Sequence, residues 1–221
     1  MRASYHDELQ MVVDRINEMS ALVGTAIQNA SAALMEADIS KAESVITEDA
    51  KLDEMHEELE FKCLSLLALQ APVASELRTI VSAIRVVFEL ARMGDLSAHI
   101  AKIARLRYPN HAVPAELTEN FQRMAEVSCE MMTLTHGTLV ERDLENAQRM
   151  AEIDAEMDEL RRAHFDVVLA EDFTGTTENA IDVALLGRYF ERFADHAVAV
   201  ARRVIYIITG STPEGEEWPN A

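Results

Sequence analysis

The chain has 221 residues, enough for one large domain or two of about 100, and 49 % of them are apolar, enough for a sizeable core. Thirty-nine acidic residues against 20 basic ones leave a net charge of −19, which argues against a nucleic-acid surface of the usual basic kind and against electrostatic adhesion to anionic lipid. Seven Gly and five Pro, with abundant Ala, Leu, Glu and Met, point to an all-α protein.

Apolar spacing predicts six helices. The first covers about Tyr5 to Met35, with Leu9, Val12, Val13, Ile16, Met19, Leu22, Val23, Ala26 and Ile27 on one side. Asp38 has the chemistry of a cap for the second, which runs to about Leu69. Pro72 opens the third, to about Tyr108, and Pro109 and Pro114 bracket a break. The fourth covers about Ala115 to Val140 and Asp143 opens the fifth, to about Ala170. The turn Thr174-Gly175-Thr176 leads to the sixth, ending near Gly210. Short connections make neighbouring helices antiparallel, so each half reads as a three-helix bundle. The expected division is a first repeat over 1–110, a second over 111–210, and a tail over 211–221 whose two Pro, three Glu and one Gly predict disorder.

Cys63 and Cys129 are the only cysteines, and Cys63 sits in an apolar run; free buried thiols in a reducing compartment are expected. The segment Met1–Glu8 has no hydrophobic signal region, and the longest apolar run, near Cys63 to Leu69, falls far short of a membrane span. A cytoplasmic protein without a membrane span is the expectation.

An internal repeat is written in the acidic positions. Asp49-Ala50-Lys51-Leu52-Asp53-Glu54 matches Asp154-Ala155-Glu156-Met157-Asp158-Glu159 at an offset of 105 (154 − 49), and Arg92-Met93-Gly94-Asp95 matches Arg192-Phe193-Ala194-Asp195 at 100 (192 − 92). Within each half, antiparallel second and third helices would let these pairs meet. The second half then gathers Asp154, Asp158, Glu191 and Asp195; the first gathers Asp49, Asp53 and Asp95, with Ala91 where the second copy has Glu191. Carboxylates one turn apart repel unless a cation neutralises them. All-oxygen sites suit Mg, Ca and Mn and can hold iron. Arginine is the rival neutraliser: Arg188 and Arg192 flank Glu191, and Arg85 and Arg92 lie around Ala91. Small residues on the third and sixth helices (Ala91, Gly94, Ala98, Ala101; Ala194, Ala197, Ala201) predict close helix packing.

Several chemistries are absent from the pattern. No Glu-x-x-His occurs; Asp53-x-x-His56 is the nearest approach and does not repeat, which argues against a ferritin-like di-iron oxidase. There is no G-x-x-x-x-G-K or G-x-G-x-x-G loop, and no trustworthy Ser-His-Asp order. His196 beside Asp195 is either an outer ligand or a polar helix residue.

The segments Leu67-Ala68-Leu69-Gln70-Ala71-Pro72-Val73-Ala74-Ser75-Glu76-Leu77-Arg78, Arg92-Met93-Gly94-Asp95 and Glu191-Arg192-Phe193-Ala194-Asp195-His196-Ala197 together resemble the PhoU family, over about residues 5 to 210. The resemblance implies two pseudo-symmetric three-helix bundles with multinuclear metal clusters on Glu/Asp-x-x-x-Asp motifs. The metal would be divalent or ferric, with iron, zinc, manganese and magnesium not distinguished. The motifs fall on Asp49 and Asp53, Asp154 and Asp158, and Glu191 and Asp195; the fourth is broken, with Ala91 for the family's Glu, Leu96 for its His and His99 for its Asn. The first site, completed by Asp95, is therefore expected to be the weaker. The resemblance further implies a regulator and not an enzyme. It would restrain phosphate-starvation two-component signalling and high-affinity phosphate uptake through contacts with the sensor histidine kinase and the phosphate-transporter ATPase. A homo-oligomer is expected, in dimeric form. A carboxylate metalloenzyme and a metal-buffering protein remain as alternatives.

Overall fold

Capping chemistry places the helix ends. A computed structural model describes residues 2–70, 72 and 75–211, and among these the chain is all-α. Helix α1 spans Arg2–Glu36, α2 Ile39–Gln70, α3 Ser75–Arg107, α4 Thr118–Glu141, α5 Leu144–Val168 and α6 Thr177–Thr209. Asp38 Oδ1 accepts from the amides of Ser40 at 2.9 Å and Lys41 at 3.1 Å, removing two orphan donors at the start of α2. Asp143 caps α5 through the Glu145 amide at 2.8 Å. The start of α6 is closed reciprocally: Thr176 Oγ1 accepts from the Asn179 amide at 3.1 Å, and Asn179 Oδ1 from the Thr176 amide at 3.0 Å. Gly210 ends it with φ of 74°, a left-handed conformation that glycine adopts without a steric penalty.

Two helix starts differ from expectation. α3 begins at Ser75, so Pro72 lies ahead of the helix instead of opening it. α4 begins at Thr118, because Ala115–Leu117 first winds as a tighter 3₁₀ turn, with the Leu117 amide donating to the Pro114 carbonyl at 2.9 Å. The tail over 212–221, and Ala71, Val73 and Ala74 of the motif before α3, lie outside the described residues.

α1, α2 and α3 pack on one another, as do α4, α5 and α6. The bundles meet through α1 on α4 and α3 on α6, leaving α2 and α5 on the outer flanks. α3 and α6 run antiparallel: Arg107 near the end of α3 pairs with Asp182 near the start of α6 at 2.5 Å and also meets Glu178, while Glu89 meets His196. The small residues anticipated on both helices are buried, which permits close packing of α3 and α6 against their neighbours. One core runs through both halves, from Val12 and Met19 through Leu90 and Met93 to Phe190 and Phe193. α5 is the least embedded helix. It buries Ala147, Met150, Met157 and His164, whereas α2 buries Ala42, Val45, Leu52, Met55, Leu59, Cys63 and Leu66. No helix among the described residues is long and apolar enough to cross a membrane.

Candidate metal centre

In the first half, α2 and α3 approach at Gly94. A Cβ there would stand 2.6 Å from Leu52 Cδ1 and 3.7 Å from Asp49 Oδ1, so the missing side chain lets Asp49 sit against the face that carries Asp95. Asp49 and Asp95 are half-buried and Asp53, one turn on, is exposed. Burial, then the charges of Asp95 and Asp53, push the Asp49 carboxyl above its usual range; Lys102 and His99 pull the other way. Asp95 already has a cation, accepting from Arg92 Nη1 at 2.5 Å. A cavity of about 350 Å³ opens beside Asp49, between Leu22, Val45, Glu48 and Leu52.

In the second half, α5 supplies Asp154 and Asp158 and α6 supplies Glu191 and Asp195. Burial first, then Asp195 and Asp158, push the Asp154 carboxyl up to about 6, against Arg202. Asp195 is raised as well, by burial and then by Glu191, against Arg188 and His196. The seven acidic positions expected from the sequence thus form two groups: Asp49, Asp53 and Asp95, and Asp154, Asp158, Glu191 and Asp195.

Glu191 is already neutralised. Its side chain is only 12 % exposed, its Oε1 accepts from Arg161 Nη1 at 2.8 Å, and its Oε2 accepts from Arg188 Nη1. Arg188, three residues from Glu191 on the same helix, makes the pair the sequence suggests; Arg161 comes from the neighbouring helix and has no such local signal. Its signal lay in the antiparallel register. Stepping up α5 from Asp154 through Asp158 to Arg161 keeps pace with stepping down α6 from Asp195 through Glu191 to Arg188. His196 turns away from the acidic group toward the other half: Nδ1 donates to Glu89 Oε2 at 2.5 Å, since an ionised carboxylate can only accept. His164, on the same helix as Arg161, is fully buried with both ring nitrogens lacking a hydrogen-bond partner. Its ring stacks on Phe121 and leaves no space at Gly187, where a Cβ would lie 2.0 Å from Cε1. Burial, reinforced by Arg161, pulls its pKa down to about 4.

The donor chemistry fits a hard cation. Asp154, Asp158 and Asp195 are oxygen donors whose ionised forms repel one another, and a bound ion would relieve that repulsion. Among the described residues, however, no three His, Cys, Asp or Glu side chains stand grouped so that they could hold a metal ion as placed. Glu191 would have to leave its arginines to join such a grouping, and the first group has Asp95 tied to Arg92 and Ala91 in place of a fourth donor.

Two copies of a three-helix unit, each setting an Asp-x-x-x-Asp pair opposite an acidic pair or its remnant, define a class of six-helix repeat proteins with two carboxylate groups. The PhoU domain matches the chain twice, over residues 16–104 and 121–204, and the chain belongs to the PhoU family. It is 44 % identical over 221 residues to the phosphate-specific transport system accessory protein PhoU homolog 1 of Mycobacterium leprae, covering all of both chains. It is also 44 % identical over 213 residues to PhoU homolog 2 of Mycobacterium tuberculosis, covering 96 % of this chain and 100 % of that one. The crystal structure of the phosphate transport system regulatory protein PhoU from Streptococcus pneumoniae superposes with a TM-score of 0.85 at 26 % identity, over 95 % of this chain and 99 % of that one.

Proposed function

We propose that the protein is a cytoplasmic accessory regulator of phosphate transport. It restrains phosphate-starvation two-component signalling and high-affinity uptake when phosphate is plentiful. It does this as a homo-oligomer, through contacts with a sensor histidine kinase and the phosphate-transporter ATPase, and not by catalysis. The observation that carries this reading is the end-to-end likeness, at 44 % identity, to a phosphate-specific transport system accessory protein. The carboxylate groups hold divalent or ferric ions that offset their mutual repulsion; the raised carboxyls of Asp49, Asp154 and Asp195 support this. Deleting the gene is expected to leave a phosphate-starvation reporter switched on in phosphate-rich medium. Mycobacterium tuberculosis has both a homolog 1 and a homolog 2, so any paralogue is deleted as well. A reporter that stays repressed in that strain overturns the reading.

One observation favours a carboxylate metalloenzyme as a second reading: the cavity beside Asp49. Steady turnover of a small substrate by metal-loaded protein, abolished by Asp49→Ala, would establish it; none is expected, because the group at that cavity is the one lacking its fourth donor.

A further inference from the structure

The two halves differ most where the second carboxylate group meets α5. At the repeat offsets, Arg161 corresponds to His56 (161 − 105), Arg188 to Phe88 (188 − 100) and Glu191 to Ala91 (191 − 100). In the first half the His56 and Phe88 rings meet edge to face, with centroids 6.5 Å apart. In the second the two arginines close on the two oxygens of Glu191. The carboxylate and both of its cations are present together in one copy and absent together in the other. The helical scaffold is the same in both, so the arginines answer the charge of Glu191 and not a need of the bundle.

Arg161 is the one that crosses between helices, reaching from α5 to α6. Its guanidinium lies 5.6 Å from the centre of the Phe165 ring, and its Nε is buried with no hydrogen-bond partner. The contact is a charge-assisted pair with a well-shielded acceptor, hence a strong one. The unmade bond at Nε is a cost of holding the guanidinium there, and it is recovered when the side chain swings out to water. Glu191 acts electrostatically on both Asp154 and Asp195, so it stands inside the same group as the free carboxylates. A cation entering that group meets Arg161 already seated on its fourth donor.

We propose that Arg161 is a built-in competitor for metal at the second carboxylate group: it occupies Glu191 in the metal-free protein and yields it on metal binding, so that the α5–α6 contact at this level follows metal occupancy. The inference rests on the metal reading above. Arg161 here is a positioning residue, acting on the ion only through Glu191.

The test is Mn²⁺ binding to the full chain by isothermal titration calorimetry, with circular dichroism to check the fold of each variant. Arg161→Ala is expected to tighten Mn²⁺ binding about tenfold, the scale of one lost charge-assisted hydrogen bond. Arg161→Lys should tighten it less, and it serves as the test if Arg161→Ala fails to fold. In a Glu191→Gln background the same change at 161 should alter affinity by less than about twofold, because the coupling has lost its partner. Unchanged or weaker binding in both Arg161→Ala and Arg161→Lys, with binding still abolished by Asp154→Ala plus Asp158→Ala, overturns the competition and leaves the metal site standing. Tightening that persists in Glu191→Gln also overturns it, reducing Arg161 to a general positive charge. Absence of Mn²⁺ binding in the wild type and in Arg161→Ala alike overturns the metal reading itself.

Discussion

The first and second halves fold alike and are charged differently. Both bring an Asp-x-x-x-Asp pair on an outer helix against an aspartate on a central one, and both station a cation, Lys102 or Arg202, within electrostatic reach of the more buried member of the pair. Beyond that frame they part. The first half fills the neighbouring positions with Leu59, Val87 and Ala91, all buried apolar residues. The second has His164, Gly187 and Glu191 there, a buried imidazole without partners, a glycine that makes room for it and a carboxylate clamped by two arginines. The bundle therefore needs only small or apolar groups at these places, and in the second half the buried His164, with both ring nitrogens unpartnered, is an addition that costs stability.

The largest effect should come from filling the glycine. Gly187→Ala puts a Cβ 2.0 Å from a rigid, fully buried ring and is expected to cost about 3 kcal/mol in urea unfolding. Gly94→Ala meets the tip of Leu52 at 2.6 Å, and the second copy already carries Ala194 at that place; its penalty should be largely offset by the roughly 1 kcal/mol helix preference of alanine. Equal losses at the two sites would erase the contrast.

Next comes pH. His164 has its pKa pulled from 6.5 down to about 4, so the unfolded chain binds the proton more readily. Its contribution is intact above pH 6.5 and is lost as pH falls toward 4, by up to about 3 kcal/mol. Asp154 works in the opposite sense: raised from 3.8 to about 6, it favours the fold below pH 3.8 and loses that advantage as pH rises through 6. In metal-free protein the two oppose each other. His164→Leu, which copies Leu59, should reverse the slope, so that melting temperature rises as pH falls from 6 to 4. A slope that stays unchanged would show that His164 is not buried neutral. Asp154→Asn should stabilise metal-free protein at pH 7 by about 1 kcal/mol, allowing for partial exposure, and Asp49→Asn by less. In metal-loaded protein the same changes should destabilise.

The smallest contrast is at the caps. Asp38 satisfies two amides and Asp143 one. Asp38→Ala should cost about 1 kcal/mol in thermal melts and Asp143→Ala somewhat less. A larger loss at Asp143 would mean that α5, the less embedded helix, depends more on its cap than on its packing.

Much of this architecture can be read from local chemistry. Asp38, Asp143 and Gly210 announce helix ends because capping is a contact between residues two to four apart. The duplication is visible because the acidic pairs recur in fixed frames, and within each half the charges of those positions act on one another across the facing helices. Arg161 is a different kind of residue. Its role arises only once α5 and α6 are aligned, and nothing within a turn of it names Glu191 as a partner. His164 is similar: Gly187 shows up in the apolar stripe of α6, but that it clears space for an imidazole from α5 is a matter of tertiary fit. The starts of α3 and α4 fall a few residues beyond Pro72 and Pro114 because proline marks where a helix cannot yet have begun more reliably than where it begins.

The antiparallel contact of α3 with α6 has an evolutionary consequence. A polypeptide of a single three-helix unit would present the inner faces of α1 and α3 to water, an untenable apolar surface, and a twofold partner is the simplest cover for it. In such a homodimer every substitution is made twice, and a glutamate could not be lost on one side alone. Joining the two copies in one chain lifts that constraint. The segment from Tyr108 to Pro114 is in this sense the licence for divergence: it lets Ala91 and Glu191, which hold matching places in the two copies, be different residues.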